Sequence, residues 1–174
     1  TQWRDRHRER VALAALDSAL EDSVATAAMS GLGDPGLTPR MQLQRTEANL
    51  RASRTPDAGS IRAYALLALS RSFAGIGDYA HALALAEEAR ARGGHDPVID
   101  ARAAAVRASV SNLEGRHAEA ETVVRDALTA RDALERAPGG PPARIALSTE
   151  LAESLWHRGQ QARALALLGE QIDA

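Results

Sequence analysis

A glycine followed five residues later by alanine, set in three similar hexapeptides, constrains this chain more than any other feature. Gly77-Asp78-Tyr79-Ala80-His81-Ala82 recurs as Gly115-Arg116-His117-Ala118-Glu119-Ala120 and again as Gly159-Gln160-Gln161-Ala162-Arg163-Ala164. Apolar residues follow near nine and twelve places after each glycine. Around the first copy, residues 61–75 carry Leu66, Leu69 and Phe73, and residues 79–91 carry Tyr79, Ala82, Ala86 and Ala89. Spacings of three and four put each set on one helical face. Glycine ends the first helix because it enters the left-handed region at least cost. The small alanine lets the second helix close on the first. The pattern predicts an antiparallel helix pair, and a lone pair cannot bury both of its flanks. Pairs of this kind must stack on neighbours.

Composition agrees with helix on helix. Alanine supplies 38 of 174 residues and aromatics only 3%, a balance that favours helices over sheet. The length suffices for one domain with a sizeable core. All 21 basic residues are arginine, and net charge is −2, so no nucleic-acid preference is implied. Cysteine is absent, which excludes disulfides and thiolate sites. The longest apolar run, residues 63–69, is too short to cross a membrane. With no signal peptide and no initiator methionine, the chain is expected to be a piece of a longer protein.

In chain order, residues 1–30 read as one helix. Its head carries Arg4, Arg6, Arg8 and Arg10 against Asp5 and Glu9, and Val11, Leu13, Leu16, Leu20 and Val24 follow as an apolar stripe. Residues 31–36 are a glycine- and proline-rich breaker without the lysine of a phosphate-binding loop. Thr38-Pro39 predicts a helix start, with Met41, Leu43, Ala48 and Leu50 available for burial up to about Arg54. Thr55-Pro56-Asp57 repeats the start signal. Residues 98–113 and 118–134 read as a second pair, with Ala120, Val123, Val124, Ala127 and Leu134 as the stripe of its second helix. Residues 138–142, Pro-Gly-Gly-Pro-Pro, read as a flexible surface turn. Residues 143–157 and 161–172 form the last pair.

The glycine-hinged pairs resemble the tetratricopeptide repeat, a helix-turn-helix unit of about 34 residues. The steps here are longer, 38 and 44 residues, and Arg107 stands where the repeat pattern has a core leucine. The resemblance implies an all-α fold, a right-handed α-solenoid superhelix of antiparallel pairs. Two leading helices over residues 1–54 would precede three pairs over residues 55–174, at about 56–93, 97–136 and 142–173. A wider stretch is similar to the C-terminal region of bacterial transmembrane eukaryotic-like serine/threonine protein kinases. The residues that carry this likeness are Asp34-Pro35, Leu37-Thr38-Pro39-Arg40, Arg45, Leu50, Gly77-Asp78-Tyr79, Gly115-Arg116 and residues 118–121, Ala-Glu-Ala-Glu. In that family a cytoplasmic kinase domain precedes one membrane helix, and the repeats lie beyond it as a sensor. The likeness therefore implies an extracytoplasmic position in a single-pass membrane protein. The alternative is a cytoplasmic repeat segment of a multidomain transcription regulator, or a structural self-association module.

Catalytic signatures are missing from the sequence. The kinase loops His-Arg-Asp and Asp-Phe-Gly do not occur. His7, His81, His95, His117 and His157 show no ligand spacing, and His81 and His117 are expected at the surface near turns. No serine sits in a Gly-x-Ser-x-Gly elbow. Neighbouring carboxylates such as Glu87 and Glu88 point about 100° apart on a helix. The expectation is a non-catalytic protein- or peptide-binding domain that takes no cofactor, metal or nucleic acid and has the capacity to form a homo-oligomer. By the geometry of the repeat family, a concave groove would be lined by Tyr64, Leu67, Arg71, Arg102, Asn112, Thr149, Glu153 and Trp156.

Overall fold

The computed structural model describes Gly36, residues 38–52 and residues 59–172. The expected helix over residues 1–30, the breaker up to residue 35 and the Thr55-Pro56-Asp57 start signal lie outside the described residues. Among the described residues there are eight helices and no strand, an all-α fold. They gather into two compact units, one up to His95 and one from Asp96. The first holds α1 (Pro39–Ala52), α2 (Gly59–Gly75) and α3 (Tyr79–Gly93). The second holds α4 (Pro97–Leu113), α5 (His117–Leu128), α6 (Arg131–Arg136), α7 (Gly140–His157) and α8 (Gln161–Ile172).

The three glycine turns are built alike. Gly77, Gly115 and Gly159 have φ of +80°, +76° and +78°. Each glycine N–H donates to the carbonyl three residues back, on Ala74, Asn112 and Trp156, at 3.0 Å in all three cases. The next N–H reaches five residues back, from Asp78 to Phe73 at 2.9 Å, Arg116 to Ser111 at 2.7 Å and Gln160 to Leu155 at 2.9 Å. This paired closure satisfies carbonyls that a helix end otherwise leaves without partners. The residue after glycine then opens the following helix: the Asp78, Arg116 and Gln160 carbonyls accept from Ala82, Ala120 and Ala164 at 3.0, 3.1 and 3.1 Å. All three alanines are buried.

In the first unit, α2 and α3 pack along the expected faces. Leu66, Leu69 and Phe73 meet the side of α3 that carries Ala82, Ala86 and Ala89, and all six are buried. The buried Ser70 hydroxyl donates to the Ala82 carbonyl at 2.6 Å. Thr38 caps α1, accepting from the Met41 N–H through its hydroxyl at 3.3 Å. The face that α1 buries differs from the expected one. Met41 and Ala48 are exposed, while Leu43, Glu47 and the half-buried Leu50 point inward. Residues 43, 47 and 50 share a face at a 100° step, and residues 41 and 48 fall on the opposite side.

In the second unit, α7 is the hub. It packs against α4, α5, α6 and α8 and buries Leu147, Ser148, Leu151, Ala152, Ser154 and Leu155. Asp96 caps α4, its carboxylate accepting from the Val98 N–H at 2.9 Å. Arg107 is exposed, so its charge stays in water and the core keeps Val106, Ala108 and Val110 instead. Two expectations fail here. The helix expected over residues 118–134 breaks at Thr129-Ala130, where N–H groups tighten onto carbonyls three residues back and the Thr129 hydroxyl caps the Asp126 carbonyl at 2.6 Å. The break swings α6 onto α7 and buries Leu134 completely. The glycine-proline stretch is likewise no loose turn. Gly139 is left-handed at φ +80°, Gly140 is buried as the first residue of α7, and Pro141 and Pro142 sit in the first turn, where a missing N–H costs nothing.

A Cβ on Gly140 would lie 1.6 Å from the Leu134 carbonyl oxygen, whereas one on Gly115 would meet nothing within 4 Å. Gly115→Ala therefore carries only the left-handed backbone penalty, about 1–2 kcal/mol. Gly140→Ala must push α6 off α7, a clash that costs about 3 kcal/mol or more. Urea titrations of the two variants should show Gly140→Ala with the lower midpoint. Equal midpoints would contradict the close approach.

Candidate interaction surface

The residues expected to line a groove divide sharply by exposure. Tyr64, Leu67 and Asn112 are buried, Leu67 to 1% exposure. Arg102 is half-buried, and that burial pulls its guanidinium pKa down. Arg71 is exposed on α2. On α7, Thr149, Glu153 and Trp156 are all exposed and fall on one face at steps of four and three. Ile145, one turn earlier, is 43% exposed on the same face and Trp156 is 50% exposed. Sequence reasoning missed Ile145, although its four-residue step to Thr149 was a usable signal.

The α7 face is held rigidly from behind. Asn112 on α4 donates its side-chain amide to the Glu150 carbonyl at 3.0 Å and to the Glu150 carboxylate at 3.2 Å. Its oxygen accepts from the Ser154 hydroxyl at 2.9 Å and lies 3.2 Å from His117 Nδ1. The His117 ring stacks on that of His157, with centroids 4.6 Å apart and planes 7° apart. Arg158 ion-pairs with Glu121 on α5, and Glu121 also takes Arg125 at 2.7 Å. The hydrogen bond from Arg125 is the main reason the Glu121 carboxyl titrates below the usual range. A buried amide with every partner in place fixes the register of two helices more tightly than apolar contact alone.

A second polar assembly clamps α1 to α3. Glu47 receives His81 Nε2 at 2.7 Å and Arg51 at 2.8 Å. Arg51 continues to Glu88 at 2.9 Å, and Glu88 to Arg92 at 3.0 Å. Arg40 pairs with Asp78 at 2.6 Å beside the first glycine turn. His81, expected at the surface near a turn, keeps 38% of its side chain exposed while its ring lies edge-on to Phe73 at 4.4 Å. Burial pushes the Glu47 carboxyl up, but hydrogen bonds and charge from His81 and Arg51 outweigh it, and the group titrates below its ordinary value. The Arg51 hydrogen bond does the same for Glu88.

Among the described residues no three histidine, aspartate or glutamate side chains converge as a metal site, and no helix is long and apolar enough to cross a membrane. What α7 exposes is one aromatic and one branched aliphatic side chain, Trp156 and Ile145, flanked by Thr149 and Glu153 on a braced helix.

Because both carboxyl groups are held low in the fold, the unfolded chain takes up their protons first. Their stabilisation is complete above the ordinary value near 4.5 and is lost as pH falls through the folded values. Thermal melts from pH 6 to pH 3 should show falling Tm below about pH 4.5. Glu47→Gln should cost about 1.5–3 kcal/mol at pH 7 and flatten that fall. An unchanged pH profile in the variant would remove the clamp from the account. Comparison with protein-family models, with curated proteins and with solved structures finds no match to this chain.

Proposed function

We propose that this chain is a non-catalytic protein- or peptide-binding domain of the tetratricopeptide type, in which stacked helix pairs present a binding face. The observation that carries the reading is the exposed row Ile145, Thr149, Glu153 and Trp156 on α7. Tryptophan is the residue type that contributes most when a partner covers it, and the Asn112–Glu150–Ser154 bonds hold the row in place before binding. A pre-set extended face suits a short peptide, which must itself be ordered on docking.

The finer reading is the sensor or scaffold region of a membrane-anchored bacterial serine/threonine kinase. What supports it is the order of short motifs in the sequence, together with a contact between two of them. Arg40 of the Leu-Thr-Pro-Arg motif pairs with Asp78 of the first glycine turn, so the two stretches that carry the likeness serve one local structure. Encoded sequence upstream containing a kinase domain and an apolar run of about 20 residues is the expected finding; a helix-turn-helix DNA-binding domain there would favour the transcription regulator instead.

Selection from a displayed library of random 12-residue peptides tests the binding face. Wild type should enrich a consensus sequence, and Trp156→Ala should weaken binding of those peptides at least tenfold, about 1.4 kcal/mol. Glu153→Arg should shift the consensus away from basic residues. Peptides bound equally well by both variants would remove this face from the function.

A further inference from the structure

The row on α7 carries one charge, and among the described residues nothing answers it. Glu153 is exposed and makes no hydrogen bond or ion pair there. The other carboxylates beside this helix are taken. Glu150 receives the Asn112 amide at 3.2 Å, and Glu121 on α5 holds Arg125 and Arg158. The nearby arginines face elsewhere: at 100° per residue Arg144 stands opposite Glu153, and Arg158 lies about 140° from it. His157 has its ring laid on that of His117. The Thr149 hydroxyl is turned back onto the Ile145 carbonyl at 2.9 Å. Of the polar groups in the row, the Glu153 carboxylate is the one left to meet a partner. The neighbouring position is also one that elsewhere makes a contact. The offset of 44 residues from Gly115 to Gly159 carries Asn112, which bonds α7 from α4, onto Trp156, and Glu121, which holds Arg158, onto Leu165. In the last pair both positions are open, at 50% and 60% exposure.

We propose that Glu153 and Trp156 form a subsite for an arginine side chain of the bound peptide, with an apolar side chain of the same peptide over Ile145. This assignment rests on the peptide-binding reading above and names the ligand. Residues three apart on a helix are surface neighbours, with Cβ atoms about 5–6 Å apart. A cation drawn to the carboxylate therefore comes within reach of the indole face, whose quadrupole attracts it again. A guanidinium suits the pair better than an ammonium. It is planar, stacks on an aromatic face and gives two parallel N–H groups to one carboxylate. A partner made only of apolar groups would cover the Glu153 charge without a counter-ion, a cost that arginine removes. Ile145 lies eight residues before Glu153, about 12 Å along the helix axis at 1.5 Å per residue. Extended peptide spans that distance in about four residues. The ligand is thus a segment with an apolar residue and an arginine about four places apart.

A double-mutant cycle on peptides enriched from the displayed library tests the subsite. The enriched sequences should carry arginine at the stated spacing from an apolar residue. Glu153→Gln, at an exposed position without a partner, should weaken an enriched peptide about fivefold or more while circular dichroism stays that of wild type. Exchanging the peptide arginine for glutamine should weaken wild-type binding by a similar factor and change binding to Glu153→Gln little, because the two losses are one interaction. Lysine in place of that arginine should bind more weakly than arginine. Added salt should weaken the wild-type complex more than that of Glu153→Gln. Trp156-dependent peptides that carry no arginine, or an enriched peptide bound equally by wild type and Glu153→Gln, overturn the subsite and leave the peptide-binding face standing. A library from which nothing enriches removes both.

Discussion

Two backbone hydrogen bonds at each glycine turn set the geometry on which the rest of the structure depends. A left-handed glycine lets consecutive N–H groups reach back three and five residues, and the carbonyl that follows opens the next helix without a spacer. The exit direction of the second helix is then fixed to within a turn, and the alanine four residues after that carbonyl must face the first helix. Anything larger than alanine there would hold the helices apart. The three turns in this chain repeat bond for bond, though the residues around them are charged in one, amide-bearing in another and mixed in the third. Backbone geometry is conserved along the chain while side-chain chemistry is not.

That division explains what the sequence revealed. The glycine-alanine spacing is a local signal: it placed the three turns and the packed faces of α2 and α3, while of the stripe expected after Gly115 only Ala120 and Val124 are buried on α5. Glu47 was illegible because its partners His81 and Arg51–Glu88 are assembled from two helices. A glutamate in a polar helix reads locally as solvated, and only the packing of α1 on α2 together with the His81 link to α3 makes it interior. His117 and His157 are 40 residues apart and are brought into stacking by the packing of α5 on α7. Gly140 is the opposite case. Its neighbourhood has the composition of a loose linker, but the Leu134 backbone lies so close that only glycine fits, and the linker is a packed corner.

The groove residues follow the same rule. Tyr64, Leu67 and Asn112 were placed by family geometry on a ligand face, and each is buried. Asn112 shows why residue type alone misleads. An amide on a helix face is a natural ligand contact, but here its donor and acceptor are both taken by α7 and its neighbours. The polar group that could have read a peptide instead locks the register of the scaffold. Thr149, Glu153 and Trp156 remain open because the corresponding side of α7 has no helix upon it among the described residues.

A polar junction and an exposed apolar face are therefore separated along the second unit. Between its two pairs the contact is polar and specific: a saturated amide, an ion pair and a stacked pair of rings. On the far side of α7 the same helical positions turn apolar. A polar junction tolerates little slippage because each misplaced bond leaves a desolvated group behind, so it suits a contact made once, during folding. An apolar face loses little when its partner shifts or leaves, so it suits a contact that is made and broken. The change from Asn112 and Glu121 to Trp156 and Leu165 marks the place where a polar junction gives way to exposed apolar side chains.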